Sequence, residues 1–280
     1  MTKQTKLFIT VCSTSVLLAM QALDRLQSFL DFDDAVNPHF KSENGIGRHG
    51  IAGLTVGFVF GFNVCAILAS SASGLSVSLI QWFLFCSLLA IFHAGEWYVT
   101  ASYRPAEVGY KSWIINHSKA YTIVMLAGSA EFWLEYTFLP WLKGWHWLIV
   151  TSAAVSIISI GIRIVGMAEC GENFDHIVMS HRKEGHKLVT SGIYQYLRHP
   201  SYFGFYYWSV AAQVLMGNPI MSCVCAYASW IFFTERIPPE EETLVKIYGE
   251  EYTSWAKKTP IGIPFVKGFV MFEGSNKKIM

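Results

Sequence analysis

Two stretches of this chain gather side chains able to do chemistry. The first reads His186-Lys187-Leu188-Val189-Thr190-Ser191-Gly192-Ile193-Tyr194-Gln195-Tyr196-Leu197-Arg198-His199-Pro200-Ser201-Tyr202. It concentrates imidazole, guanidinium and phenol groups in a mostly apolar chain, which suits a pocket for a polar ligand. Anchoring of Tyr and Arg198 at lipid headgroups is the competing reading. Thr190-Ser191-Gly192 signals a turn, and His199-Pro200 breaks the chain before a helix starting near Ser201. The second stretch is Arg236-Ile237-Pro238-Pro239-Glu240-Glu241-Glu242. Pro239 suits the first position of a helix whose dipole the glutamates complement, so capping accounts for Glu241 and Glu242. Arg236 fits that explanation less well, and snorkelling is its alternative to a ligand role.

Ionisable residues within apolar stretches are costly and are functional candidates by default. His93 and Glu96 lie three apart on one helix face, and Glu131 and Glu135 four apart. For these four, interhelical hydrogen bonding is the favoured reading. Arg163 lies in the last turns before the polar loop and joins Arg236 as a candidate catalytic residue. Gly45-Ile46-Gly47-Arg48-His49-Gly50 matches a dinucleotide fingerprint but lacks the strand that must precede it, so it is rejected. The six cysteines match no zinc spacing and read as small buried hydrophobes; no metal site is expected.

The elements that must position these groups are helices in a membrane. Charged residues make up 15% of the sequence and hydrophobic ones 52%, with formal net charge +1. Mean hydropathy is +0.35. Soluble domains carry about 25% charged residues, and nucleic-acid binding needs a basic surface. Disorder and nucleic-acid binding are therefore excluded. Stretches 7–30, 51–71, 77–101, 120–139 and 145–168 are long enough to span a bilayer. Two shorter ones, 202–216 and 219–234, read as a tight helical hairpin joined by Gly217-Asn218. An amphipathic helix follows Pro239, with Leu244, Tyr248, Tyr252 and Trp255 on one face, and is expected to lie along the membrane surface. Basic residues concentrate in 169–203 and in the tail, which places both on the cytosolic side. The expected fold is an all-α polytopic membrane protein of about seven to eight transmembrane helices. Residues 1–168 form its transmembrane region and 169–280 its catalytic region, whose pocket opens to the cytosol.

The polar loop and the Arg-Ile-Pro-Pro-Glu-Glu-Glu tract together resemble the protein-S-isoprenylcysteine O-methyltransferase family. The matching strings are Asn173-Phe174-Asp175-His176, the segment His186–Tyr194, Arg198-His199-Pro200-Ser201-Tyr202 and Gly217-Asn218-Pro219. Arg236 with Glu240-Glu241 and Leu244, and the tail from Gly249 to Phe265, extend the match. The resemblance implies eight spans and a pocket for S-adenosylmethionine, released as S-adenosylhomocysteine. It implies cofactor contacts at Met179, His186, Lys187, Leu188, Val189, Tyr194, His199, Pro200, Ser201, Tyr202 and Glu240. Met179 stands where relatives often carry a polar residue, and would border the adenine by packing. Arg236 would face the substrate. The implied substrates are prenylated CaaX proteins such as small GTPases, reached from membrane lipid, and the implied location is the endoplasmic reticulum membrane.

That chemistry is consistent with the residues. An acceptor carboxylate is already ionised at neutral pH, so the lack of a nucleophile–base pair is no obstacle. An Arg can hold a carboxylate by two parallel hydrogen bonds, and Glu240 can bind the cofactor's ammonium. A phospholipid amine methyltransferase is the nearest rival, and its acceptor must first lose a proton. Sterol reductases share C-terminal motifs but need basic residues for a nucleotide phosphate. A transporter or lipid-binding scaffold is the non-enzymatic alternative.

Overall fold

The computed structural model describes residues 45–73, 76–115, 118–174 and 187–269. Among these residues every regular element is helical: α1 (Ile46–Ser73), α2 (Val77–Tyr103), α3 (Lys119–Phe138), α4 (His146–Cys170), α5 (Pro200–Met216), α6 (Pro219–Tyr248) and α7 (Glu250–Ala256). Short 3-10 turns occupy several of the connections. Ile46–Ser70, Val77–Tyr103 and His146–Asn173 are long and apolar enough to cross a membrane. Helices α3, α5 and the first half of α6 occupy the other expected stretches. The expected span 7–30 lies outside the described residues. The chain divides into two compact units, residues up to 153 with 212–221, and 154–211 with 222 onward.

In the first unit, α1 and α2 pack around Ala52, Val56, Val59 and Ala90, closed by Tyr110 and Trp113 from the loop after α2. Trp97 stacks on Trp113 at 4.9 Å. His93 bonds the Trp113 carbonyl through Nδ1 at 2.8 Å, and its Nε2 lies 3.3 Å from the Tyr121 hydroxyl. These bonds satisfy an imidazole that is 2% exposed. The same unit holds the turn Gly217-Asn218, and here the polar residues of α3 serve the fold. Lys143 Nζ lies 2.7 Å from Glu135 Oε2, 2.9 Å from the Met216 carbonyl, 2.8 Å from that of Gly217 and 3.0 Å from Asn218 Oδ1. Glu131 accepts the Ile220 and Met221 amides at 2.7 and 2.8 Å, capping the otherwise unpaired start of α6. Asn218 Nδ2 donates to the Gly128 carbonyl at 2.8 Å, and Gln81 Nε2 donates to that of Leu215 at 2.9 Å. Seventeen residues of α5 rise only about 25 Å. The hairpin tip therefore finds its hydrogen-bond partners inside the protein.

The second unit corrects two expectations. Pro238-Pro239 does not start a new helix; α6 runs through both. Proline removes the amide that would bond the carbonyl four residues earlier. That local penalty is overridden by burial on either side of the pair: Phe233 is 1% exposed, and Ile237 and Glu241 are both 0% exposed. Phe233 and Ile237 form a cluster with Ile261, Ile263 and Val266 of the C-terminal segment. The amphipathic stripe is likewise not left for lipid. Leu244, Tyr248 and Trp255 pack with Leu188 around buried Tyr252 and Ala256.

The Lys143 clasp makes a direct prediction. Stranding one partner of a buried ion pair costs about 3–5 kcal/mol. Lys143→Met is expected to lower stability by that amount, seen as a fall in melting temperature in detergent. Adding Glu135→Leu should restore only part of it, because the Met216 and Gly217 carbonyls and Asn218 Oδ1 still lack their donor. A single variant that melts with the wild type would contradict the clasp.

Candidate active site

The backbone of the 187–199 loop is fixed before any side chain can serve a ligand. Gly192 adopts φ +58°, which glycine takes at no steric cost, and a Cβ there would collide with the Glu169 carboxylate. Glu169 instead accepts the Ile193 amide at 2.6 Å. The Tyr194 hydroxyl donates to the Gly166 carbonyl at 3.0 Å. Trp255 Nε1 donates to the Tyr194 carbonyl at 3.2 Å, and the Arg198 amide donates to that of Pro260 at 2.9 Å. Helix α4, helix α7 and the C-terminal segment thus all hold this loop.

Beside it opens a cleft of about 1010 Å³, open space included. Lys187, Leu188, Val189 and Tyr194 line it from the loop, and His199, Pro200, Ser201 and Tyr202 from the junction with α5. Glu240 lines it from α6. These nine sequence-predicted residues share one cavity. Met179 and His186 lie outside the described residues. Neither of the two arginines predicted to be catalytic lines this cavity; both bond residues that do. Arg163 is 7% exposed; its Nη1 donates to the Ser201 hydroxyl at 2.9 Å and the Ser201 carbonyl at 3.1 Å. Arg236 Nε donates to the Tyr202 hydroxyl at 3.2 Å, and that hydroxyl donates to Glu240 Oε2 at 2.6 Å. Continuity of α6 keeps Arg236 and Glu240 one turn apart, Nε to Oε2 3.9 Å. The expected helix break that would have parted them is absent, and the Tyr202 phenol stands between the two charges.

Sequence reasoning left several wall residues unassigned. Leu244, Ile247, Tyr248, Tyr252 and Trp255 supply an apolar, aromatic side, with Cys170, Asn173 and Phe174 at the end of α4. The Leu244-Tyr248-Tyr252-Trp255 spacing is the signal the sequence offers for this side. Glu241 carried no signal of its own. Its side chain is 0% exposed; Arg198 Nη1 lies 2.8 Å from its Oε1, and His199 Nε2 lies 3.1 Å from the same oxygen. Burial opposes ionisation of this carboxyl, but the His199 bond and the neighbouring positive charge outweigh it and hold its pKa below the usual value.

The donor set fits S-adenosylmethionine. Glu240 offers a carboxylate to an ammonium, and the aromatic and aliphatic side can sandwich a flat base. Among the described residues no group of His, Cys, Asp and Glu could hold a metal ion.

A depressed carboxyl pKa means that Glu241 contributes its stability in full above the unfolded value and loses it as pH falls through the folded one. Wild-type protein should therefore lose melting temperature on acidification below about pH 4.5. Glu241→Gln should start about 1.5–3 kcal/mol lower at pH 7, the size of a charge-assisted hydrogen bond, and show a flatter acid limb. Parallel limbs for the two proteins would contradict this account of Glu241.

Comparison with known proteins adds three findings. A sequence model of the isoprenylcysteine carboxyl methyltransferase (ICMT) family matches residues 151–246. Protein-S-isoprenylcysteine O-methyltransferases of Mus musculus and Homo sapiens are each 41% identical over 213 residues, covering 76% of this chain and 73% of theirs. A solved structure described as the eukaryotic intramembrane Ras methyltransferase ICMT aligns with TM-score 0.75 and 30% identity, covering 91% of this chain and 87% of that one. The chain belongs to the isoprenylcysteine carboxyl methyltransferase family.

Proposed function

We propose that this family member transfers a methyl group to the C-terminal carboxylate of a prenylated cysteine, with S-adenosylmethionine as donor. The observation that carries the reading is the Tyr202 hydroxyl, bonded on one side to Glu240 and on the other to Arg236. A carboxylate suited to a cationic donor and a guanidinium suited to an anionic acceptor thereby adjoin, 3.9 Å apart and bridged by one hydroxyl.

S-adenosylmethionine, when bound, supplies an electrophilic methyl group on a sulfonium. Glu240 binds its ammonium, and the Leu244, Tyr248 and Trp255 side with Leu188 and Val189 receives the adenosine. Lys187, Tyr194, Pro200 and Ser201 complete that surface, with Met179 and His186 assigned to it by family resemblance. Arg236 holds the acceptor carboxylate by paired hydrogen bonds. Holding both partners at near-attack distance supplies most of what such a reaction needs. Arg163 positions Ser201 from behind. The acceptor is an anion at neutral pH, so no residue need remove a proton. We assign the catalytic region to 169–280, carried on a transmembrane region 1–168 of a seven- or eight-span protein. Its pocket faces the cytosol from the endoplasmic reticulum membrane. Prenylated CaaX proteins, small GTPases among them, present their lipid through the bilayer.

Two outcomes test the reading. Arg236→Ala should abolish methyl transfer while S-adenosylhomocysteine affinity stays within threefold of wild type. Glu240→Gln should weaken that affinity about ten- to a hundredfold, the loss of one charged hydrogen bond. Near-normal turnover by folded Arg236→Ala would sink the assignment. With labelled donor, farnesylcysteine should be methylated and phospholipid not, at a rate nearly flat from about pH 6 to 8. A steep rise over that window with phospholipid as acceptor would favour an amine methyltransferase.

A further inference from the structure

The glutamate next to Glu240 is absorbed by none of this chemistry, yet it is the more deeply buried of the two. Glu240 is 23% exposed at its side chain and Glu241 is 0% exposed. The surroundings of Glu241 come from separate parts of the chain: Arg198 and His199 from the loop junction, and Gly268 from the C-terminal segment, where any Cβ would collide with its carboxylate. A carboxylate enclosed in this way makes a statement about the group it touches.

An ionised carboxylate only accepts hydrogen bonds. The His199 Nε2 at 3.1 Å must therefore be the donor and carry a proton. Arg198, 2.8 Å from the same oxygen, supplies a positive charge to the glutamate that does not depend on the imidazole. Its ring is held in plane by stacking on Tyr202, 5.4 Å between centroids and 9° from parallel. A neutral ring protonated on Nε2 leaves Nδ1 as a bare acceptor. That atom lies 3.6 Å from Glu240 Oε1, too far for a hydrogen bond between them. At that spacing one donor placed between the two atoms can reach both. Both residues line the cleft.

We propose that Glu241 is a positioning residue that locks His199 in its Nε2–H tautomer, so that His199 Nδ1 and Glu240 Oε1 form an acceptor pair for an ammonium group. The proposal rests on the methyl-donor reading of the cleft and deepens it. It assigns His199 to the cationic end of the donor's amino-acid portion rather than to its carboxylate, since a nitrogen without a proton cannot donate to an anion. The Arg198–Glu241 pair is thereby coupled to ligand chemistry, Glu241 through His199 and Arg198 from the cleft wall itself.

The test uses full-length protein in detergent with nitrogen-15-labelled histidine, His199 being assigned by its missing signals in His199→Asn. The expected spectrum shows a protonated Nε2 and an unprotonated Nδ1, whose resonance moves when S-adenosylhomocysteine is added. A spectrum with Nδ1 protonated would overturn the proposal, and the tautomer itself is read on wild-type protein, the variant serving only for assignment. Calorimetry with S-adenosylhomocysteine and its α-deaminated analogue gives the second readout. His199→Ala and Glu241→Gln should each weaken S-adenosylhomocysteine at least tenfold while changing the deaminated analogue less than threefold. Equal losses for both ligands in folded variants would overturn the proposal, because a merely structural role would penalise both alike. Failure of wild-type protein to bind either ligand would overturn the methyl-donor reading itself. An Nδ1–H tautomer in protein that does bind would overturn the positioning role alone.

Discussion

The second unit is organised around one buried carboxylate. Glu241 has its side chain fully enclosed and is met by Arg198 and His199. A charge out of water is tolerable only when paired and hydrogen-bonded, so this residue forces its partners to assemble around it. The assembly brings together the loop before α5, the middle of α6 and, through Gly268, the C-terminal segment. Arg198 carries the constraint further, because its amide is bonded to Pro260. The cleft is the space that remains beside this arrangement.

Neighbouring residues then divide the work by burial. Glu241 faces inward and Glu240, next to it on α6, faces the cleft; Tyr202 ties Glu240 to Arg236. An unbroken α6 is what keeps these three residues in register. Its two prolines would ordinarily end a helix, but Phe233, Ile237 and Glu241 are buried on both sides of them. Arg163 and Glu169 act at the next remove, one bonded to Ser201 and the other to the Ile193 amide. In the first unit, Glu131, Glu135 and Lys143 perform an analogous task without any cleft, converting costly polar groups into the fixed turn at Gly217-Asn218.

Much of this was legible in the sequence, for identifiable reasons. Apolar stretches marked the helices because membrane length and composition are local properties. The loop holding His199 and Tyr202 stood out because polar side chains are rare in this chain and cluster there, whereas Glu240 came forward through the family resemblance. Glu241 was not legible: next to prolines and two other glutamates, it looked like one more dipole-complementing acid. Its burial depends on partners tens of residues away, which no spacing reveals. The Pro238-Pro239 helix break was misjudged because a local rule was applied where tertiary anchoring prevails. The stripe from Leu244 to Trp255 was seen correctly as apolar but assigned to lipid, since a sequence does not say whether protein or membrane will cover a face. The expected span at 7–30, Met179 and His186 lie outside the described residues.

The Arg198–Glu241 pair serves the cleft as well as the fold, and a double variant separates these roles. Replacing a buried ion pair by apolar residues of similar size is often neutral or stabilising. Arg198→Met with Glu241→Leu can therefore recover the melting temperature that either change alone removes, while leaving His199 Nε2 without its acceptor. Measurement of S-adenosylhomocysteine affinity in that double variant is the most direct test. The expected result is a melting temperature above that of either single variant with affinity at least tenfold weaker. Recovery of affinity together with stability would contradict it and reduce the pair to a packing element.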